Sequence, residues 1–272
     1  MSFLSEFIEG ILFKNDHRNY WRPQHFGMIG EPFKVKNSSD LSIEGVLLKP
    51  IDVEVKGTVL FFESAHYNLQ FHLPQVSCLC RKGYRVIMFD YSGFGGSEGK
   101  PSFNGLANDA ECVFKWVATR FKQDKLIFFA QGIGCDVALQ LYKRHEDKVA
   151  GLILESAYAS RKGWIKDRWG PVIGDFAASC LKCSAPEPSA ILPFVKVPVL
   201  MVFPGRDNYI HSAQRKALLK ILPKSAEILK VPEAKFLSVF VGKPNRWHDA
   251  LLNFISKKCA SGKKNRPNGV GK

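Results

Sequence analysis

The chain has 272 residues, with 39 Lys and Arg against 25 Asp and Glu and a formal charge of +14. An apolar share of 46% with 12% aromatics is too rich for a disordered chain, and the length suits one large α/β domain or two small ones around a sizeable core. No apolar run reaches the roughly 18–20 residues that a bilayer-spanning helix needs, and the basic excess speaks to solubility and anionic partners rather than to fold.

The first segment, residues 1–19, begins MSFLSEFIEGILF. Phe3, Leu4, Phe7, Ile8, Ile11 and Leu12 recur at helical spacing. Glu6 and Glu9 interrupt the apolar run and no basic leader precedes it, which speaks against a signal peptide. The expectation is an amphipathic helix docked on its own domain, because its polar face is acidic and a membrane-surface helix usually presents Lys or Arg. Residues 33–36 and 41–48 read as an antiparallel pair at a sheet edge. From residue 57 to residue 256, short apolar strands alternate with helices. Strands are expected at 58–62, 84–90, 126–130, 149–155, 197–203 and 227–231. Helices are expected at 73–82, 106–121, 135–143, 212–222 and 247–257. Continuous apolar strands separated by helices predict a mostly parallel sheet covered on both faces.

Residues 158–192 break this alternation, with Trp164, Trp169 and several Pro and Gly, and read as a short cap inserted in a single domain of residues 20–256. Residues 257–272 carry Lys257, Lys258, Lys263, Lys264, Arg266 and Lys272 without an acid, and read as a disordered basic tail that could meet an anionic surface. The seven cysteines are an odd number in a long chain, so reduced thiols and a cytoplasmic setting are the simpler expectation. Cys180 and Cys183 form one CxxC without a second ligand pair, so no metal site is expected. Nothing points to a cofactor or to nucleic acid.

The chemistry-bearing signal is the strand, turn and helix at LIFFA-QGIG-CDVAL. Glycines stand at a sharp turn on the carboxyl end of a strand, the setting in which Gly-x-Ser-x-Gly presents a nucleophile. Three further runs point the same way: FDYSGFGGSEGKPS at residues 89–102, LESAYAS at 154–160 and VPVLMVFPGRDNYI at 197–210. Together they resemble the α/β-hydrolase superfamily, in its serine-aminopeptidase-like or small-esterase-like branch, over roughly residues 20–256.

That resemblance implies a nucleophile at the turn, an acid at Asp207, a histidine after the last strand and an oxyanion loop after the first parallel strand. The nucleophile position holds Gly132, and Phe236 stands where the histidine is expected. Glu63, Ser64, Ala65 and His66 occupy the oxyanion loop, and a carboxylate at Glu63 would oppose a developing oxyanion. An acid without the imidazole it orients has no role in acyl transfer. Gln131 and Ile133, with Glu63, Ser64 and Ala65, are expected to line a crevice above Gly132. Asp136 is unusual in an apolar helix start, and either favours the helix dipole or meets a ligand.

Three functions remain open at this stage. The first is a hydrolase-fold protein with a degenerate triad that binds a small ligand or a protein partner. The second is an active serine or thioester hydrolase with relocated residues, for which His248, His66 and Cys135 are the candidates; a cysteine at a helix start can be activated. The third is a protein that binds anionic surfaces through its basic tail.

Overall fold

A computed structural model describes residues 3–13, 15–122 and 125–259. Eight strands form one sheet in the order β1-β2-β4-β3-β5-β6-β7-β8. They are β1 (Ile29–Lys36), β2 (Ser42–Lys49), β3 (Gly57–Phe62), β4 (Tyr84–Phe89), β5 (Leu126–Gln131), β6 (Val149–Glu155), β7 (Val199–Arg206) and β8 (Glu227–Lys235). The β1–β2 hairpin is antiparallel and β2 joins β4 antiparallel. All pairings from β4 through β8 are parallel. This is the expected α/β-hydrolase architecture with its antiparallel edge.

The apolar runs make sense in this setting because successive strand side chains point to opposite faces. Leu60 and Phe62 of β3, Ile87 and Phe89 of β4, and Phe128 and Ala130 of β5 join one buried cluster. Val59, Phe61, Val86, Met88, Ile127 and Phe129 join the other. Helices α3 (Phe103–Arg120) and α4 (Gly134–Arg144) cover the first face. Helices α2 (Leu69–Arg81) and α9 (Arg246–Phe254) cover the second.

Several boundaries differ from those read in the sequence. Helix α2 begins at Leu69 rather than 73, because the Asn68 side chain caps it by accepting the Gln70 N–H at 3.1 Å. Strand β7 continues through Pro204 and Gly205 to Arg206, with an irregular register against β8. Lys257–Cys259 belong to the last helical turn and Cys259 is buried, so the domain extends past 256. The tail expectation otherwise falls on residues 260–272, outside the described residues.

The N-terminal helix is shorter than residues 1–19 suggested: α1 spans Phe3–Leu12. It buries Ile8 and Leu12 against the domain. Between β6 and β7 the cap comprises α5 (Arg161–Trp169), α6 (Pro171–Cys180) and α7 (Pro188–Ile191). Helix α8 (Ser212–Ile221) follows β7. The cap is fastened to the domain by a buried ion pair. Asp136 in the first turn of α4 receives Arg161 Nε at 2.9 Å and Nη2 at 3.0 Å, together with the Tyr158 hydroxyl at 2.9 Å. Arg161 also donates to the Ala185 and Pro186 carbonyls. The unusual Asp136 is therefore a structural anchor, with its charge directed to the cap.

Candidate functional site

Parallel sheets present their ligand sites at the carboxyl ends of the strands. Here the chain leaves four of those ends in left-handed conformations. Ala65 after β3 has φ 50°, Gly132 after β5 has φ 56°, Ser156 after β6 has φ 54° and Leu237 after β8 has φ 56°. Such a conformation is costly for a residue with a side chain, most of all for one as bulky as leucine, and clusters of this kind mark functional sites. Gly132 bears no Cβ penalty. Its N–H bonds the Glu155 carbonyl at 2.9 Å, and its own carbonyl accepts the Cys135 N–H at 3.1 Å as α4 begins.

The space above Gly132 is filled. A Cβ built on Gly132 would lie 3.2 Å from Phe236 Cζ and 3.2 Å from Ser64 Cβ. Phe236 stacks on Tyr209, with ring centroids 4.5 Å apart and planes 20° apart. The Tyr209 hydroxyl lies 3.1 Å from His66 Nδ1, and the Arg168 guanidinium covers the Tyr209 ring at 4.7 Å. The sequence suggested a crevice above Gly132 lined by Glu63, Ser64, Ala65, Gln131 and Ile133. All five are buried, and the Phe236 ring and Ser64 are what a side chain at Gly132 would meet.

Asp207 stands beside this cluster at the end of β7. Its Oδ1 accepts the N–H groups of Tyr209 and Ile210, both at 2.9 Å. Its Oδ2 is buried and lacks a hydrogen-bond partner. A buried carboxylate oxygen without a donor is costly, so this atom marks a place where a donor is missing.

Glu63 lies on the loop after β3. The side chain is buried and neither carboxylate oxygen has a hydrogen-bond partner. Burial, reinforced by the Asp90 carboxylate, pushes its pKa well above the usual range. Burial thus disfavours the charged form that would oppose an oxyanion.

Behind Gly132 runs a buried polar chain. His72 Nδ1 lies 3.1 Å from Gln131 Oε1, and Gln131 Nε2 donates to Glu155 Oε2 at 2.6 Å. The amide oxygen can only accept, so His72 carries its proton on Nδ1. Burial lowers the His72 pKa to about 4. It raises that of Glu155 to about 7, against the counteracting bond from Gln131. The folded chain therefore holds a proton on Glu155 that the unfolded chain releases near pH 4.5. Stability from this group is complete below that pH and is lost as pH rises through about 7. Relative to Glu155→Gln, the wild-type chain should lose up to about 3 kcal/mol between about pH 4.5 and about pH 8. Urea melts at the two pH values measure this; parallel shifts of both proteins would contradict it. His72 did not stand out in the sequence and Glu155 did so only within the LESAYAS run, since the chain that links them through Gln131 crosses elements.

Ser64 Oγ is buried without a hydrogen-bond partner. Cys135 donates its thiol proton to the Glu155 carbonyl at 3.3 Å, and burial keeps its pKa well above 9. His248 completes the cap of α9, with Nδ1 beside Asn245 and Nε2 3.1 Å from the Phe240 carbonyl. Among the described residues, no group of three or more His, Cys, Asp or Glu is placed to hold a metal.

A family model described as serine aminopeptidase, S33, matches residues 53–190. YfhR of Salmonella typhi is 25% identical over 73% of this chain and 70% of that protein. WAV2 of Arabidopsis thaliana, described as an α/β-hydrolase domain-containing protein, is 30% identical over 51% of this chain and 46% of its own. Lysophosphatidylserine lipase ABHD12 of Danio rerio is 37% identical over 29% of this chain and 21% of its own. In fold, the chain is similar to the Pyrococcus furiosus esterase Pf2001, with TM-score 0.71 and 14% identity over 91% of this chain and 98% of that one.

Proposed function

Because the chain belongs to the serine aminopeptidase S33 family of α/β-hydrolases, we propose that it is a member whose acyl-transfer site has been closed and which acts by binding a ligand or protein partner rather than by hydrolysis. The observation that carries this reading is the Phe236 ring seated over Gly132, 3.2 Å from where a nucleophile's Cβ would begin. The Asp207 oxygen left without a donor supports it: an acid that orients an imidazole would use that oxygen, and the position that would supply the imidazole is Phe236.

A nucleophile needs a base within hydrogen-bond reach. Neither Ser64 nor Cys135 meets that requirement in the present geometry, since Ser64 Oγ has no hydrogen-bond partner and Cys135 spends its proton on a carbonyl. Burial also withholds the Cys135 thiolate, the form that attacks. His66 is engaged with Tyr209.

Turnover of p-nitrophenyl butyrate by the purified chain tests the proposal. The expected rate is indistinguishable from buffer. Turnover that disappears in Ser64→Ala or Cys135→Ala would overturn the reading and identify the relocated nucleophile.

A further inference from the structure

Helix α8 leaves the last strand of the sheet partly uncovered. Leu229 and Val231 of β8 pack into the cluster on one face, so Ile228, Lys230 and Pro232 point to the other. Helix α8 lies on that second face and buries Leu218 there. It does not reach over the edge, and Ile228, Lys230 and Pro232 stay exposed. Between helix and strand lies a groove of about 390 Å³. Phe203, Leu219 and Pro232 give it an apolar lining, and Arg215, Lys216 and Lys230 bring cations to it. We infer that this groove binds a phosphate monoester that carries an apolar chain.

The local charge calls for an anion. Residues 208–235 hold Arg215, Lys216, Lys220, Lys224, Lys230 and Lys235 against Glu227 and Glu233. Both acids are engaged away from the groove: Glu227 meets Lys258 at 3.4 Å, and Glu233 accepts the Trp247 Nε1–H at 2.8 Å. Asp167 meets α8 at Gln214, accepting its amide at 2.8 Å. Among the described residues, none of Arg215, Lys216, Lys220, Lys224 and Lys230 pairs with a carboxylate. Arg215 is half-buried and donates Nη1–H to the Pro204 carbonyl at 3.0 Å. That neutral partner fixes the guanidinium without cancelling its charge, and leaves further N–H groups for a phosphate. Ser212 opens α8 and also lines the groove, and the first turn of α8 has no acid. The positive end of the helix dipole is therefore left without a counter-charge.

The apolar part of the ligand follows from the lining. Leu219 and Ile228 are 44% and 45% exposed, and extend the apolar surface away from Arg215. A concave groove of this size suits a small molecule. Lys230 and Pro232 blunt β8 as an edge for an added strand. Residues 260–272 add Lys263, Lys264, Arg266 and Lys272 without an acid, a like charge that the groove repels. The groove shares no lining residue with the cluster over Gly132, so the inference stands apart from the closure of that site.

Calorimetric titration of the full chain with monooctyl phosphate, kept below its micelle concentration, tests the inference. Saturable binding is expected, weakened about tenfold or more in Arg215→Met and in Lys216→Met/Lys230→Met. Lys216 and Lys230 are exposed, and an unchanged thermal melt verifies that the double variant folds. Inorganic phosphate, which lacks the chain, and octyl glucoside, which lacks the charge, should each bind about tenfold more weakly or less. Absence of saturable binding would overturn the inference, as would binding that ignores Lys216→Met/Lys230→Met. Equal affinity for octyl glucoside would deny the cations a role, and equal affinity for inorganic phosphate would deny one to the apolar lining. Sedimentation with phosphatidate-containing vesicles without binding of monooctyl phosphate would overturn it in favour of a bilayer surface.

Discussion

Gly132→Ser combined with Phe236→His is expected to create esterase turnover at least about 100-fold above the buffer rate, where each single substitution creates little. General-base assistance is worth roughly 10²–10⁴-fold, and it needs both partners. The single Gly132→Ser places a Cβ 3.2 Å from the Phe236 ring and forces an L-residue to adopt φ 56°, so crowding adds to the conformational cost. The single Phe236→His supplies a base with nothing to activate. Together, the ring that crowded the serine becomes the base beside it. The imidazole would also stand in a cluster whose Asp207 Oδ2 lacks a donor. Burial of Glu63 disfavours its charged form, which would oppose an oxyanion on that loop. Initial rates on p-nitrophenyl acetate measure the effect. A folded double variant with no turnover would contradict the account of Asp207 and Phe236 as displaced members of a triad.

Arg161→Met is expected to cost about 3–5 kcal/mol, the usual range when one partner of a buried ion pair is removed. The side chains of Arg161 and Asp136 are 3% and 1% exposed, and the guanidinium ties α4 to residues 185 and 186 at the base of the cap. Burial already raises the Asp136 pKa against the pull of Arg161. Loss of the cation would leave the carboxyl to be neutralised or stranded. Adding Asp136→Leu should restore most of the loss, because removing both charges eliminates the uncompensated group. Urea unfolding of the three proteins measures the difference. A single variant as stable as wild type would contradict the anchoring role of the pair.

The features of the site that were legible in the sequence were those written in consecutive residues. LIFFAQGIG announces a strand and a turn that only glycine fills comfortably, and its neighbours announce parallel strands because both of their faces are buried. The antiparallel edge at β1 and β2 was legible for the opposite reason, since one side of each strand is wetter. The partners that lie far apart in the chain were not legible. Asp136 gave no hint of Arg161, 25 residues later, and the polar chain through His72, Gln131 and Glu155 spans three elements. Phe236 was read in the sequence as standing where the resemblance implies a histidine. That its ring would close the space over Gly132 depends on the stack with Tyr209, a contact that no local pattern encodes. The same holds for α1: helical spacing revealed its apolar residues, but only packing against α6 decides that some of them face outward.

The central claim is that no activated nucleophile stands at the carboxyl ends of the strands. Intact mass after treatment with a fluorophosphonate probe tests this most directly, because the probe reports any serine made reactive by a neighbouring base, wherever that pair has moved. The wild-type chain is expected to keep its unmodified mass, while Gly132→Ser/Phe236→His gains one adduct on the introduced serine. A stoichiometric adduct on the wild-type chain would contradict the account.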